Sequence, residues 1–411
     1  MDASKDAREE YGLQDIRKFS RDMLYSAYNT LVPVHRRLPV SFWLRYDEEQ
    51  QTIGLRASLL LWIHSDFQEL PEEFQLTATM AMLSGQDSLI DVGTGARNTM
   101  CMILPCLLAP DTMAVVFSPL NRLLAIQILA FSRYQIKAIA INEDTPNNPD
   151  LWKVYSFGMS VPDLSNIAET SGYTKRRVFC PSCAAGTAMH VKRRSSPSAR
   201  VAGDRQFVKL IRRVHVDEAH FIYTAGFKHY GLPAYRSAWG QLGEFLIKIG
   251  RHVPVQALTG TQPPHIKAAI IKSLLFDESR LCAIKLKSNR PNIVYATHPI
   301  VGDLSDLRNL DFVVPHPYPA GWSLPKTVVF HDNVMQAADV ALYHTRRLPE
   351  ALQKEGLVMH YHGVMSKEYV TQVHKDFSDP NGHCKVLHAS GGASMVYMFY
   401  VFPSVANVCG P

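Results

Sequence analysis

Apolar residues recur at three- and four-residue spacing near the start of the chain, at Leu24, Ala27, Leu31 and Val34, and predict a helical lead over residues 1–69. Leu70-Pro71 breaks that pattern, and Glu72 to Ser84 reads as a helix closing at Gly85. A short apolar run from Ser88 to Val92 predicts a strand, followed by a Gly-rich turn and a helical run from Met100 to Leu108. Ala114 to Ser118 and Lys137 to Asn142 read as further strands, with a helix from Arg122 to Tyr134 between them. Val214 to Val216 and Val255 to Thr259 are brief strands, and His265 to Leu275 a helix. Short apolar strands alternating with helices predict an α/β fold built on a parallel sheet.

Pro315, Pro317, Pro319 and Pro325 mark residues 298–325 as a linker between domains. Beyond it, strands at Thr327–Phe330, Leu357–His360 and Lys385–His388, with a helix near Ala337 to Lys354, begin a second α/β unit over 326–411. The tail from Met395 to Val408 is apolar, shorter than a spanning helix requires and interrupted by Pro403, and reads as a strand, an unnatural chain end or a membrane-associating segment.

Composition narrows the classes. The 411 residues are 46% hydrophobic and 19% charged, which suits a buried core and excludes wholesale disorder. Seven cysteines are too few for a disulfide scaffold, and the charged start has no secretory pattern, so an intracellular protein without a membrane span is expected. Charge is uneven. Lys175 to Arg213 holds eleven Lys or Arg and one acid, an excess of +10 in a chain of net +6, so the remainder sums to −4. This segment, 175–213, reads as a basic insert, either a polyanion contact or a solvated loop. Cys180 and Cys183 within it have metal-ligand spacing but no second pair, so they read as an ordinary loop. None of the 17 histidines is assigned to a metal.

Two stretches carry chemistry. Gly93, Thr94, Gly95, Ala96, Arg97, Asn98 and Thr99 lie between a strand and a helix, where backbone N–H groups at a helix N-terminus can cradle phosphates. Taken alone, such a turn is also an ordinary turn. Gly93, Gly95 and Thr99 fit a phosphate loop, whereas Arg97 and Asn98 stand where Gly and Lys are needed. Asp217-Glu218-Ala219-His220 at a strand end offers one carboxylate for a Mg²⁺ shell and a second to activate water.

Together with other stretches in order, these resemble the RecQ-like branch of superfamily 2 DNA helicases. Phe74-Gln75, 23 residues before Asn98, resembles the family's adenine-reading motif. Ser118-Pro119-Leu120 looks like the motif that touches the DNA backbone, and Asp217 to His220 matches the DEAH box. Phe221 to Tyr235 is similar to the aromatic loop coupling DNA to ATP hydrolysis, with Ala225 where the family usually has Trp. Ala257 to Thr261 resembles motif III, and Asn289-Arg-Pro-Asn-Ile293 with Tyr295 is the most RecQ-specific stretch. Val328 to Phe330, Tyr361 to Gly363, and Ala389-Ser390 look like second-domain motifs. The likeness covers about residues 70–395.

The resemblance implies a P-loop NTPase (RecA-like) helicase domain over 70–297, then a second RecA-like domain expected to be incomplete because its last motif has no candidate. It implies ATP and Mg²⁺ as cofactors, DNA as partner, 3′→5′ unwinding, a monomer and a nuclear location. Gln75 would read adenine, Gly93 to Thr99 would line the triphosphate, and Thr99 and Asp217 would hold Mg²⁺. Glu218 would orient the attacking water. His220, Thr259 and Thr261 would couple nucleotide state to DNA, and Ser118, Phe227, Tyr230, Arg290 and Asn292 would face the strand. Asn98 removes the phosphate-binding Lys, so turnover is expected to be impaired. The competing readings are a degenerate core that binds nucleic acid or protein without turnover, and a fragment.

Overall fold

The computed structural model describes residues 16–93, 97–119, 121–141, 177–181, 208–287, 294, 296–303, 305–362, 365–390 and 404–408. They divide between two compact units, Met1–Asn289 and Arg290–Pro411.

The first unit begins with helices α1 (Arg21–Leu31), α2 (Val40–Trp43), α3 (Glu48–His64) and α4 (Glu73–Leu83). Each long helix has a local reason to start. The Ser20 side chain accepts the Met23 N–H, and Asp47 and Gln50 form a reciprocal capping box ahead of α3. Helix α3 buries Leu55, Ala57 and Leu59 to Ile63 in the same core as Leu76 of α4 and Ile103 of α5 (Thr99–Leu108). Residues 1–69, expected as a lead ahead of the nucleotide domain, thus share that domain's core over their described part. The physical reason is that α3 is apolar on more than one face, so it cannot stay in solvent.

Strands β1 (Ser88–Asp91), β2 (Met113–Phe117), β3 (Lys137–Ile141), β4 (Arg177–Pro181), β5 (Ile211–Val216), β6 (Val255–Thr259) and β7 (Cys282–Lys285) form one sheet. Its order is β3-β4-β2-β5-β6-β1-β7, and every pairing is parallel. Alternate residues point to opposite faces. Ile90, Ala114, Val116 and Leu258 pack with α3–α5 and with α6 (Asn121–Arg133), while Leu89, Val115, Phe117 and Ala257 enter a second core. That second core is covered by α9 (Leu242–Ile249) and α10 (Pro264–Leu274), with the single turns α7 (Phe221–Thr224) and α8 (Ser237–Gly240) beside it.

The basic insert is corrected in two places. Arg177 to Pro181, including Cys180, is an inner strand between β3 and β2. Arg213 is 3% exposed, and its guanidinium donates to the Thr112 hydroxyl at 2.7 Å, so it braces the sheet and is closed to a polyanion. Lys209 and Arg212 are exposed, while Lys175, Arg176 and the charges from Lys192 to Arg205 lie outside the described residues.

In the second unit, β8 (Thr327–His331), β9 (Val358–Tyr361), β10 (Val386–Ser390) and β11 (Ser404–Val408) form a parallel sheet in the order β11-β8-β10-β9. Part of the apolar tail is therefore an edge strand. Helix α11 (Val334–Arg347) ends sooner than the expected Lys354, because Pro349 cannot continue it. Helix α12 (Lys367–Ser378), which the pattern did not reveal, starts at Ser366, whose hydroxyl accepts the Tyr369 N–H. The Pro-rich 298–325 stretch is more than a linker: Leu310, Val313, Val314 and Leu324 are buried against Val329 and Val340.

Three buried histidines cross this core. His344 Nε2 lies 3.1 Å from the Leu310 carbonyl, which can only accept. A neutral His344 must then accept at Nδ1 from His388 Nε2 at 3.0 Å, and His388 Nδ1 accepts from His331 Nε2 at 2.9 Å. Burial pushes His331 and His344 down to about 4 and His388 well below its ordinary value.

Candidate functional site: the carboxyl ends of β1, β5 and β6

In a parallel sheet, ligands gather beyond the carboxyl ends of the strands, where helix N-termini and loops converge. Here β1, β5 and β6 end side by side, with Asp91 in register with Thr259 and Val216 with Ala257. The Val92 N–H donates to the Thr259 carbonyl at 3.1 Å, which fixes where the Gly-rich loop departs.

Asp217 and Glu218 follow β5. The Asp217 N–H donates to the Phe117 carbonyl at 2.9 Å, and its carboxylate accepts from Gln127 Nε2 of α6 at 2.5 Å. Burial, followed by the neighbouring Glu218 charge, pushes the Asp217 carboxyl upward. Glu218 adopts φ 50°, in the left-handed region that non-glycine residues rarely occupy. This turn lets the Ala219 N–H reach back to the Leu258 carbonyl at 2.8 Å. It also sets Glu218 Oε2 3.2 Å from His220 Nδ1, which lies 3.1 Å from the Thr259 hydroxyl. That hydroxyl donates to the Thr261 carbonyl and accepts the Thr261 N–H, both at 3.1 Å. Glu218, His220, Thr259 and Thr261 thus form one connected polar chain.

The loop side is built from α4 and α5. Gln75 is 2% exposed; its Oε1 accepts the Glu72 N–H at 2.9 Å, and its Nε2 donates to the Arg97 carbonyl at 3.4 Å. Arg97 has φ 56°, and its guanidinium pairs with Glu69 Oε2 at 3.4 Å. Tyr134 donates to the same oxygen at 2.8 Å. Asn98 Nδ2 donates to the Val92 carbonyl at 3.4 Å, while its buried Oδ1 has no partner among the described residues. Thr99 opens α5. Lys285, at the end of β7, lies 3.4 Å from Asp91 Oδ2.

The residues expected to meet DNA divide. Tyr230 is fully exposed, whereas Phe227 is half-buried and packs beside Tyr223 at 6.3 Å between ring centres. Ser118 is buried and its hydroxyl has no partner among the described residues, so it does not present an open face as expected. Its neighbour Pro119 instead accepts from Arg236, at the end of the aromatic loop. Ala225, which stands where the resembled family usually carries Trp, is buried beside a close backbone crossing of Gly226 and Gly240. Thr94, Gly95, Ala96, Arg290 and Asn292 lie outside the described residues.

Sequence reasoning missed Gln127, Glu69 and Lys285. Gln127 carried a usable signal, because it interrupts the apolar stripe of Leu124 and Phe131 on α6. The donors suit Mg²⁺, which prefers carboxylate and hydroxyl oxygens such as Asp217 and Thr99. Among the described residues, no three His, Cys, Asp or Glu side chains gather into a further metal cluster.

Three curated proteins are similar to about half of the chain. The chain is 28% identical over 230 residues to the ATP-dependent DNA helicase hus2/rqh1 of Schizosaccharomyces pombe, covering 55% of this chain and 15% of that protein. It is 24% identical over 225 residues to the RecQ-like DNA helicase BLM of Xenopus laevis, covering 55% and 14%. With the mouse (Mus musculus) ATP-dependent DNA helicase Q5 it is 25% identical over 232 residues, covering 56% and 21%. Over this stretch the chain is similar to RecQ-type DNA helicases. It spans between 14% and 21% of those relatives' lengths, and no family model matches it.

Solved structures establish the fold of the RecQ-like chain. The DUF1998 helicase MrfA, bound to DNA, superposes with a TM-score of 0.59 at 12% identity, over 92% of this chain and 48% of that one. The Mycobacterium smegmatis helicase Lhr, bound to ssDNA and AMP-PNP, gives 0.52 at 16% identity, over 85% and 42%. The units are parallel α/β, RecA-like folds. Among the described residues, no helix is long and apolar enough to cross a membrane.

Proposed function

We propose that this RecQ-like chain is an ATP-dependent DNA helicase core, acting 3′→5′, whose turnover is limited by its phosphate loop. The observation that carries the reading is the polar chain from Glu218 through His220 and Thr259 to Thr261 at the carboxyl ends of β5 and β6. Glu218 accepts hydrogen bonds from an attacking water and holds it in line, with His220 fixing the carboxylate. A change at Glu218 reaches Thr261 through three successive polar contacts, by way of His220 and Thr259, which is a short route from nucleotide state to the DNA-facing loops. Gln75 would take the adenine edge, and Thr99 and Asp217 would hold Mg²⁺, which supplies neutralisation of phosphate charge when bound. Asn98 and Arg97 are the weak points: Asn98 carries no charge, and the Arg97 guanidinium rests on Glu69 instead of being fixed at the start of α5.

The second reading, a nucleic-acid-binding module without turnover, is favoured by the Asn98 amide, whose Nδ2 is spent on Val92. Both readings require DNA binding, with Tyr230 stacking on bases and the basic segment contacting phosphates. Lys192, Arg193, Arg194, Arg200 and Arg205 would then release counterions on binding. Deleting residues 192–205 should flatten the slope of log affinity against log salt by roughly 3 for single strands. Fluorescence anisotropy over a salt series measures it. An unchanged slope would remove this segment from the DNA-binding surface.

A further inference from the structure

We propose that Arg97 is the phosphate-binding cation of this loop and that Glu69 holds it in reserve until a triphosphate arrives. The inference rests on the ATP reading above and deepens it. Asn98 stands where the loop's lysine is expected, but its amide is uncharged and already donates to Val92. The adjacent Arg97 is the charged side chain placed nearest α5 in the chain, two residues before Thr99.

Its resting position is not a phosphate-binding one. The guanidinium is turned to Glu69 Oε2 at 3.4 Å, with the arginine side chain 63% exposed and the glutamate 31%. An exposed pair at that distance is weak. It is also replaceable without leaving an orphan, because Glu69 Oε2 keeps the Tyr134 hydroxyl at 2.8 Å when Arg97 departs. A triphosphate carries several negative charges against the one shared carboxylate oxygen. It can also take both arms of the guanidinium, which Glu69 does not do here.

The backbone supports the exchange. Arg97 holds φ 56°, an unfavourable conformation for a side chain with a Cβ. Its carbonyl is tied to Gln75 Nε2 at 3.4 Å. Adenine binding at Gln75 therefore acts on the residue that carries the cation. Lys285 is the competing cation, but it sits on Asp91 at 3.4 Å, across the strand end.

The test is a titration of the full chain with ATP and AMP, read by fluorescence competition, for the wild type, Arg97→Ala, Arg97→Gln, Glu69→Gln and Lys285→Ala. Thermal melting accompanies each variant. Loss of ATP affinity by about tenfold in Arg97→Ala and Arg97→Gln, with AMP affinity unchanged, is expected from loss of one charged contact. Glu69→Gln should raise ATP affinity several-fold, since it keeps the Tyr134 hydrogen bond and frees the guanidinium. Unchanged ATP affinity in both folded Arg97 variants would overturn the proposal, as would a loss confined to Lys285→Ala. Failure of the wild type and of Arg97→Gly/Asn98→Lys alike to bind ATP would instead overturn the ATP reading itself, and this inference with it.

Discussion

Replacing Arg97 by Gly and Asn98 by Lys should raise the rate of ATP hydrolysis by about 10²-fold or more, the usual effect of one preorganised charge at a transition state. Phosphoryl transfer asks little covalent chemistry of a protein and depends on positioning and charge. The carboxylate side is assembled: Asp217 is pinned by Gln127 and Glu218 is held by His220. The phosphate side lacks a lysine at the start of α5, and Arg97, one residue upstream, can bind phosphate without being fixed for the transition state. Glycine at residue 97 also adopts φ 56° without strain. Steady-state phosphate release in saturating ATP checks this, and an unchanged rate would place the limit elsewhere than the loop.

Acidification to pH 5 should open the second unit while the first keeps its sheet. His331, His344 and His388 are buried and neutral when folded, with pKa values driven down mainly by burial. Asp332 beside His331 opposes this, as do the Leu310 carbonyl and Asp311 near His344; Arg347 adds to the depression, and His360 does so for His388. Above the ordinary histidine range neither folded nor unfolded state is charged, so these groups leave stability unaffected. As pH falls below about 6.5, the unfolded chain takes up protons that the folded one refuses, and stability drops until the folded values are reached. Three such groups cost roughly 5 kcal/mol between pH 7.5 and 5, comparable with the ~5–15 kcal/mol of a whole domain. In the first unit His215 behaves likewise, with a value near 3, but Asp217 has the opposite sign. Its folded carboxyl keeps a proton that the unfolded chain releases, so acid favours the fold there. Hydrogen exchange by mass spectrometry should show β8 and β10 unprotected at pH 5 and β1, β5 and β6 still protected. Equal protection in both units would refute the histidine account.

The parallel architecture was legible because its strands are short apolar runs separated by helices of ordinary period. Glu218, His220, Thr259 and Thr261 were named through the family resemblance, and they meet because β5 and β6 pair side by side. What stayed hidden has physical causes. Strand β4 holds only Val178, Phe179 and Cys180 as apolar residues beside an arginine run, so charge masked a five-residue inner strand. Glu69 and Lys285 act through tertiary contacts that no local spacing encodes. Ser118 and Phe227 were named by motif, but burial is decided by what packs over them, and here Arg236 and the Gly226–Gly240 crossing draw that loop inward. The three-histidine chain spans 57 residues from His331 to His388 and is made by register between β8 and β10, not by sequence neighbours.

The central claim is a Glu218-dependent ATPase coupled to DNA and slowed by its phosphate loop. The measurement that meets it most directly is phosphate release by the full chain, with and without single-stranded DNA, beside Glu218→Gln. The account predicts a slow release that DNA accelerates and that Glu218→Gln removes. A release rate indifferent to Glu218, or none at all even in Arg97→Gly/Asn98→Lys, would contradict it.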